Sequence, residues 1–337
     1  MIIVLRPDAS EEQIDHLLSR IREMGLTPHI SRGIERTIVG VIGDERLIRE
    51  RSFQSTPGVE HVMSILKPFK LASREFKHDD TIVHVNKVEF GGNKIVLIAG
   101  PCSIENPEQL MKTANAVKAA GATVLRGGAF KPRTSPYSFQ GLGEEGLKLL
   151  DEARRATGLS VVSEVMDTRD VELVARYVDI LQIGTHNQHN YALLKEVGTL
   201  QKPVILKRGL SSTVEEYLLA AEYILSRGNN QVILCERGIR TFEKATRNTL
   251  DISAIPVLKH LSHLPVIVDP SQATGNWRLV EPMSMASVAA GADGLMIEVH
   301  PEPEKALSDG AQSLLPEKYA HLVSQVQLIA RAIGREI

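Results

Sequence analysis

Only two of the 337 residues are cysteines, Cys102 and Cys235, so no disulfide framework supports the fold and the chain reads as reduced and cytoplasmic. No basic stretch followed by an apolar run opens it. No apolar run approaches the roughly 20 residues needed to span a bilayer, which argues against a leader and a membrane segment. Neither charge is in excess: 39 Lys and Arg against 41 Asp and Glu give a net −2. The basic surplus that a nucleic-acid partner requires is therefore absent. Apolar residues, by contrast, are not scarce. At 43% apolar and 24% charged the chain is globular rather than disordered, and its length suits one large domain with a smaller one.

Residues 1–66 carry the order strand, helix, strand, strand, helix, strand. The strands are expected at Ile2–Leu5, Pro28–Ser31, Thr37–Ile42 and Val59–Leu66. Ser10 with Gln13 three positions on makes a capping box for the first helix, and the second helix follows Asp44. This is the ferredoxin-like order. Residues 67–94 read as a linker rich in basic residues, Lys67 to Lys77, and a hairpin-like stretch, Thr81 to Lys94, containing Gly91-Gly92.

From residue 95 to 337, eight β-branched runs alternate with helical segments such as Pro107–Ala120 and Val214–Ser226. The runs are Ile95–Ala99, Thr123–Arg126, Ser160–Glu164, Ile180–Ile183, Pro203–Lys207, Gln231–Glu236, Pro265–Asp269 and Gly294–Glu298. Continuous apolar strands separated by amphipathic helices imply a parallel sheet covered by helices. Eight repeats fit a (β/α)8 TIM barrel in the α/β class; an open doubly wound sheet is the alternative.

Chemistry-bearing residues recur at or just past the C-terminal tips: Cys102, Arg126, Glu164, His186, Lys207, Arg237, Asp269 and Glu298. A barrel brings such tips to one mouth. Arg126, Lys131, Arg133, Lys207 and Arg237 form a cation cluster suited to a small phosphorylated substrate held by charge-assisted bonds. The competing reading is a set of salt bridges to Glu144, Glu164, Glu236 or Asp269. Cys102, Glu298 and Asp309 offer one sulfur and two carboxylates, a mixture suited to a borderline divalent metal. Alternatively, Cys102 is a small buried hydrophobe. Cys235, inside an apolar run, is read that way.

Five runs carry a resemblance to a known family: Gly100-Pro101-Cys102-Ser103, Arg126-Gly127-Gly128-Ala129-Phe130-Lys131-Pro132-Arg133-Thr134-Ser135, Leu206-Lys207-Arg208-Gly209, Cys235-Glu236-Arg237-Gly238 and Glu298-Val299-His300-Pro301. They closely resemble the type I beta 3-deoxy-D-arabino-heptulosonate 7-phosphate (DAHP) synthases, including the subgroup with an N-terminal ferredoxin-like domain. The resemblance implies condensation of phosphoenolpyruvate with erythrose 4-phosphate, the entry to the shikimate pathway and the aromatic amino acids. It places Arg126, Lys131, Lys207 and Arg237 on phosphoenolpyruvate and Arg133, Thr134 and Ser135 on the sugar phosphate. Cys102, Gln272, Glu298 and Asp309 stand at the positions for a divalent Mn, Fe, Zn or Co ion, and Lys131, Cys102 and Gln272 make up the catalytic set. The related eight-carbon synthases have Ala-Asn-Arg where this chain has Pro132-Arg133, which favours the four-carbon sugar. A homotetramer is implied as well. His29 and Ser31 match positions that bind a tyrosine or phenylalanine effector; the bland reading of His29 is an ordinary strand-edge histidine.

Two departures stand out. Asp269-Pro270-Ser271-Gln272 has an amide where the family has a histidine ligand, which predicts weaker metal binding. Ile183-Gly184-Thr185-His186-Asn187 has a titratable imidazole where the family has an arginine on the phosphoenolpyruvate phosphate. Losing a charge-assisted bond costs roughly 1.5–3 kcal/mol, about one to two orders in binding. Two other functions stay open on these grounds: a paralogue that condenses phosphoenolpyruvate with another aldehyde, and a catalytically silent protein that binds aromatic amino acids.

Overall fold

In the computed structural model, which describes residues 1–33, 36–42, 51–63, 68–133 and 135–337, the capping box at Ser10 is formed. The Ser10 hydroxyl accepts from the Gln13 backbone at 3.3 Å and the Gln13 side chain accepts from the Ser10 backbone at 3.1 Å. Two of the first helix's orphan groups are thereby satisfied. The helix, α1 (Glu11–Glu23), turns Ile14, Leu17 and Ile21 to one side, and all three are buried.

These belong to the first of two units, Met1–Pro68. Its strands β1 (Ile2–Leu5), β2 (Thr27–Arg32), β3 (Thr37–Ile42) and β4 (Val59–Met63) pair antiparallel in the order β2-β3-β1-β4. The α1 face packs with Ile3, Leu5, Val39, Val41 and Phe53 into one core. A short helix, α2 (Arg51–Gln54), precedes β4. The expected helix start at Asp44 and the end of the last strand, residues 64–66, lie outside the described residues. The element order and pairing are ferredoxin-like.

The second unit is Phe69–Ile337. Within the stretch expected as linker, Phe69 and Ala72 are buried in the main core of this unit, and the backbones of Leu71 and Ala72 donate to Glu222 at 2.8 and 2.9 Å. A hairpin follows, β5 (Val83–Val85) with β6 (Val88–Phe90). It turns at Asn86, which adopts a left-handed φ of 53°, and Gly91-Gly92 follows its second strand.

Eight parallel strands then close a barrel: β7 (Val96–Gly100), β8 (Val124–Arg126), β9 (Ser160–Val165), β10 (Ile180–Ile183), β11 (Val204–Lys207), β12 (Val232–Glu236), β13 (Val266–Val268) and β14 (Gly294–Glu298). The helices between and after them are α3 (Pro107–Ala119), α4 (Glu144–Thr157), α5 (Val171–Tyr177), α6 (Tyr191–Thr199), α7 (Val214–Leu225), α8 (Ala254–Leu261), α9 (Pro270–Thr274), α10 (Trp277–Ala289) and α11 (Pro316–Ala332). The closed order excludes the open doubly wound sheet.

Both faces of the strands are apolar because both are covered. Leu97, Leu125, Val161, Leu181, Val204 and Leu206 pack outward in the core shared with the helices. Ile98, Val124, Val162, Ile205, Ile233, Cys235, Ile267 and Met296 pack together with hairpin residues Val83, Val85 and Phe90. Cys235 thus has the packing role expected of it. Asn86 donates to Ser160, the first residue of β9, at 3.0 Å, so the hairpin plugs the N-terminal end of the barrel. The C-terminal end is left for the charged tips. Among the described residues no helix is long and apolar enough to cross a membrane.

Candidate active site

At the C-terminal mouth a cavity of about 330 Å³ is lined by Arg126, Lys131, Arg133, Ser135, Glu164, His186, Lys207, Arg237, Arg247, Gln272 and Asp309, among others. Each side chain arrives for a local reason. Arg126 and Lys207 are the last residues of β8 and β11, and Arg237 follows β12. Lys131 and Arg133 come from the loop between β8 and α4. Asp269 lies just past β13, not within it as the sequence suggests: its carboxylate caps α9 by accepting from the Gln272 backbone at 2.8 Å. Asp309 projects from the loop after β14 on a left-handed backbone of φ 51°. Gly184 sits against the Glu164 carboxylate so closely that a Cβ there would overlap it.

The deepest charges are paired within the protein. Lys207 Nζ donates to Asp269 Oδ2 at 2.5 Å, and Arg126 Nη1 lies 3.7 Å from Asp269 and 3.2 Å from Glu298 Oε1. Burial works to raise Asp269, but Lys207 and Arg126 outweigh it and hold the carboxyl below its usual range. The salt-bridge reading therefore holds for Asp269 with Lys207 and Arg126. It fails for the other three acids: Glu144 pairs with Lys148, Glu236 with Arg208, and Glu164 accepts from Gln182 at 3.1 Å. Among the described residues neither Arg133 nor Arg237 has a carboxylate partner within ion-pair distance. Arg126 Nε, Arg133 Nη1 and Arg237 Nε and Nη1 are buried without a hydrogen-bond partner. Unsatisfied buried guanidinium donors are costly, and an anion in the cavity would satisfy them.

Beside these donors lie Cys102, Glu298 and Asp309, with ligand atoms all within 4.8 Å of one another. Lys131 Nζ donates to Cys102 Sγ at 3.0 Å, and Cys102 donates to Asp309 Oδ2 at 3.0 Å. Burial, reinforced by Glu298, pushes the Cys102 thiol up to about 12. Asp309 is the opposite case: burial resists its charge, yet the Cys102 bond, Lys131 and Arg247 pull it down to about 2. Burial also opposes the Lys131 charge, but the Cys102 sulfur and Glu298 outweigh it and hold the ammonium up to about 12.

The structure thus brings Cys102, Arg126, Lys131, Arg133, Ser135, His186, Lys207, Arg237, Gln272, Glu298 and Asp309 to one end of the barrel. His186 is exposed on the rim, just past β10. Thr134 lies outside the described residues. His29 and Ser31 are exposed on β2 of the first unit, two residues apart and so on one face. Two residues the sequence did not single out belong to the mouth: Arg247 donates to Asp309 Oδ1 at 3.0 Å and to Gln312 Oε1 at 2.9 Å, and Gln312 donates to Glu298 Oε2 at 2.9 Å.

Residues 77–332 match the DAHP synthetase I family, and residues 1–67 match the DAHP synthase ferredoxin-like domain. The chain belongs to the DAHP synthetase I family. It is 52% identical, over all 337 residues and the full length of both chains, to the phospho-2-dehydro-3-deoxyheptonate aldolase of Thermotoga maritima. The crystal structure of that DAHP synthase superposes with a TM-score of 0.95, covering 99% of this chain and 98% of the other. A 2-dehydro-3-deoxyphosphooctonate aldolase from Syntrophotalea carbinolica is 35% identical over 249 residues, 68% of this chain and 89% of the relative. As a member of the DAHP synthetase I family the chain is an enzyme, a transferase of the aldolase type.

Proposed function

We propose that the chain condenses phosphoenolpyruvate with erythrose 4-phosphate to give DAHP and inorganic phosphate. The observation that carries this reading is the pairing, in one cavity, of buried guanidinium donors without partners and a Cys102, Glu298, Asp309 cluster. Phosphoenolpyruvate has a carboxylate and a phosphate for Arg126, Lys131, Lys207 and Arg237. Arg133, Thr134 and Ser135, further along the same loop, would take the sugar phosphate, and His186 stands on the rim within the phosphoenolpyruvate set.

One sulfur and two carboxylates within 4.8 Å of one another fit a divalent Mn, Fe, Zn or Co ion. Such an ion would supply Lewis acidity to the aldehyde oxygen. The protein's own groups account for the rest. In the reaction C3 of the enol phosphate bonds to the aldehyde carbon, the aldehyde oxygen takes a proton, water adds at C2 and phosphate departs. Lys131, a buried ammonium 3.0 Å from Cys102, is placed to give that proton. Arg237 and Arg126 stabilise the phosphate as it leaves, because their free donors are already desolvated.

A paralogue acting on another aldehyde is the second reading, favoured by the exposed imidazole of His186 in the mouth. Phosphoenolpyruvate consumption with erythrose 4-phosphate, arabinose 5-phosphate and other aldehyde phosphates, each with Mn, Zn, Fe or Co salts, separates the two. Turnover confined to a sugar other than erythrose 4-phosphate overturns the first. We further propose that tyrosine or phenylalanine binds the ferredoxin-like unit at His29 and Ser31 and inhibits a homotetramer. Calorimetry on the full chain should detect the amino acid, and His29→Ala with Ser31→Ala should abolish its binding. Light scattering gives the subunit count.

A further inference from the structure

Glu298 is fully buried, and its two oxygens are held by two different glutamine amides. Gln272 Nε2 donates to Oε1 at 2.7 Å and Gln312 Nε2 donates to Oε2 at 2.9 Å. Each amide oxygen is in turn occupied by a guanidinium: Arg237 Nη2 donates to Gln272 Oε1 at 3.1 Å, and Arg247 Nη1 donates to Gln312 Oε1 at 2.9 Å. The five side chains form one continuous relay, Arg237, Gln272, Glu298, Gln312, Arg247, with the carboxylate at its centre.

This relay fixes which end of each amide faces the metal cluster. Turning Gln272 over would set its carbonyl oxygen against a carboxylate and its NH2 against a guanidinium, exchanging two charge-assisted bonds for two repulsions. Its backbone is pinned too, because Gln272 N donates to Asp269 Oδ1 at 2.8 Å. The atom facing Cys102 Sγ, at 4.0 Å, is therefore Nε2, and a neutral amide nitrogen has no lone pair to give a metal.

We propose that Gln272 is a positioning residue for Glu298 rather than a metal ligand, and that it works as one of a pair with Gln312. The centre then has three protein ligands, Cys102, Glu298 and Asp309, and its remaining positions are open to oxygen atoms of a substrate. This rests on the metal reading given above.

The test uses the full-length protein and cobalt. In crystals of the Co2+-loaded wild type, with the ion located by its anomalous scattering, Gln272 should remain on Glu298 with no amide atom at ligand distance. An amide atom at about 2.0–2.2 Å from the ion overturns the proposal. In solution, titration followed by the thiolate-to-cobalt absorption should give Gln272→Leu and Gln312→Leu similar losses of affinity, about 10- to 100-fold each. The melting temperatures of the metal-free variants report separately on any purely structural role. A large loss for Gln272→Leu beside none for Gln312→Leu overturns the pairing. If the wild type develops no thiolate band at all, the metal reading itself fails and takes this proposal with it. If Gln272→Leu does not fold, the wild-type crystals still decide.

Discussion

Lys131 Nζ sits 3.0 Å from Cys102 Sγ, and both side chains are buried beneath the mouth of the barrel. The lysine arrives from the loop after β8 and the cysteine from the turn after β7, so the parallel pairing of these two neighbouring strands is what joins them. Lys131 also lies 4.0 Å from Asp309, which makes it the ammonium that reaches both the sulfur and the carboxylate. Lys131→Met keeps most of the volume and removes the proton. Turnover of phosphoenolpyruvate should fall by about 10²- to 10⁴-fold, the usual weight of a positioned acid, while the circular dichroism spectrum is retained. A fall in activity that merely tracks loss of folded protein would remove Lys131 from the reaction.

One residue past Lys207, Arg208 points the other way and makes a different kind of ion pair. Its Nη1 donates to Glu236 at 2.9 Å and to Asp251 at 2.8 Å. Glu236 is fully buried, and burial pushes its carboxyl up even with the guanidinium beside it. Arg208→Met leaves that carboxylate uncompensated, which typically costs about 3–5 kcal/mol. Denaturant unfolding should register the loss, and the fraction still folded should keep its phosphoenolpyruvate affinity, since Arg208 does not line the cavity.

These two cases mark what was legible in the sequence. The eight apolar runs and their charged tips have a period, and a period can be read without a structure; all eight strands formed, each within one residue of expectation at either end. The one-residue difference at the end of β13 has a chemical reason. Asp269 looked like the end of a strand, but its carboxylate caps α9 instead, and cap chemistry outweighed the apolar run. Arg247 and Gln312 were not legible, because they come from loops after β12 and β14 that carry no period at all. Nor was the direction of the Gln272 amide, which depends on Arg237 and Glu298 from two other elements. Sequence spacing brings residues to the mouth but does not say which atom of each faces which neighbour.

A pH prediction follows from His263, which joins residues 69–81 to the barrel. Lys77 donates to Thr81 Oγ1 at 2.8 Å; Thr81 in turn bonds His263 Nδ1 at 2.8 Å, and His263 Nε2 bonds the Leu71 carbonyl at 2.7 Å. With Thr81 giving its proton to Nδ1, the chain is complete for a neutral imidazole. Burial lowers this histidine from its ordinary 6.5, and Lys77 and Arg74 add to the effect against the Leu71 carbonyl and Asp80. The unfolded chain therefore binds the proton more readily. Above pH 6.5 both states are neutral and this group gives no slope; as pH falls below 6.5, stability is lost. His263→Gln should melt below the wild type at pH 7.5, and the gap should narrow by pH 5.5. A constant gap across that range would mean that His263 does not titrate differently in the folded protein.

The last prediction concerns His186, the rim residue that separates the two readings of function. It lines the same cavity as Arg133, Lys207 and Arg237, yet it is exposed and brings at most two donors where a guanidinium brings five. A phosphate at the mouth thus meets a weaker partner here than an arginine would provide. His186→Arg adds a permanent charge, and one further charge-assisted bond contributes about 1.5–3 kcal/mol, so the KM for phosphoenolpyruvate should drop by about one to two orders. Cobalt affinity should be unchanged, because His186 is not part of the Cys102, Glu298 and Asp309 cluster. A matching gain for inorganic phosphate in competition would place the new contact on the phosphate rather than the carboxylate. If KM does not move while the variant folds and binds cobalt normally, His186 does not reach the enol phosphate, and the imidazole on the rim is left for the aldehyde substrate.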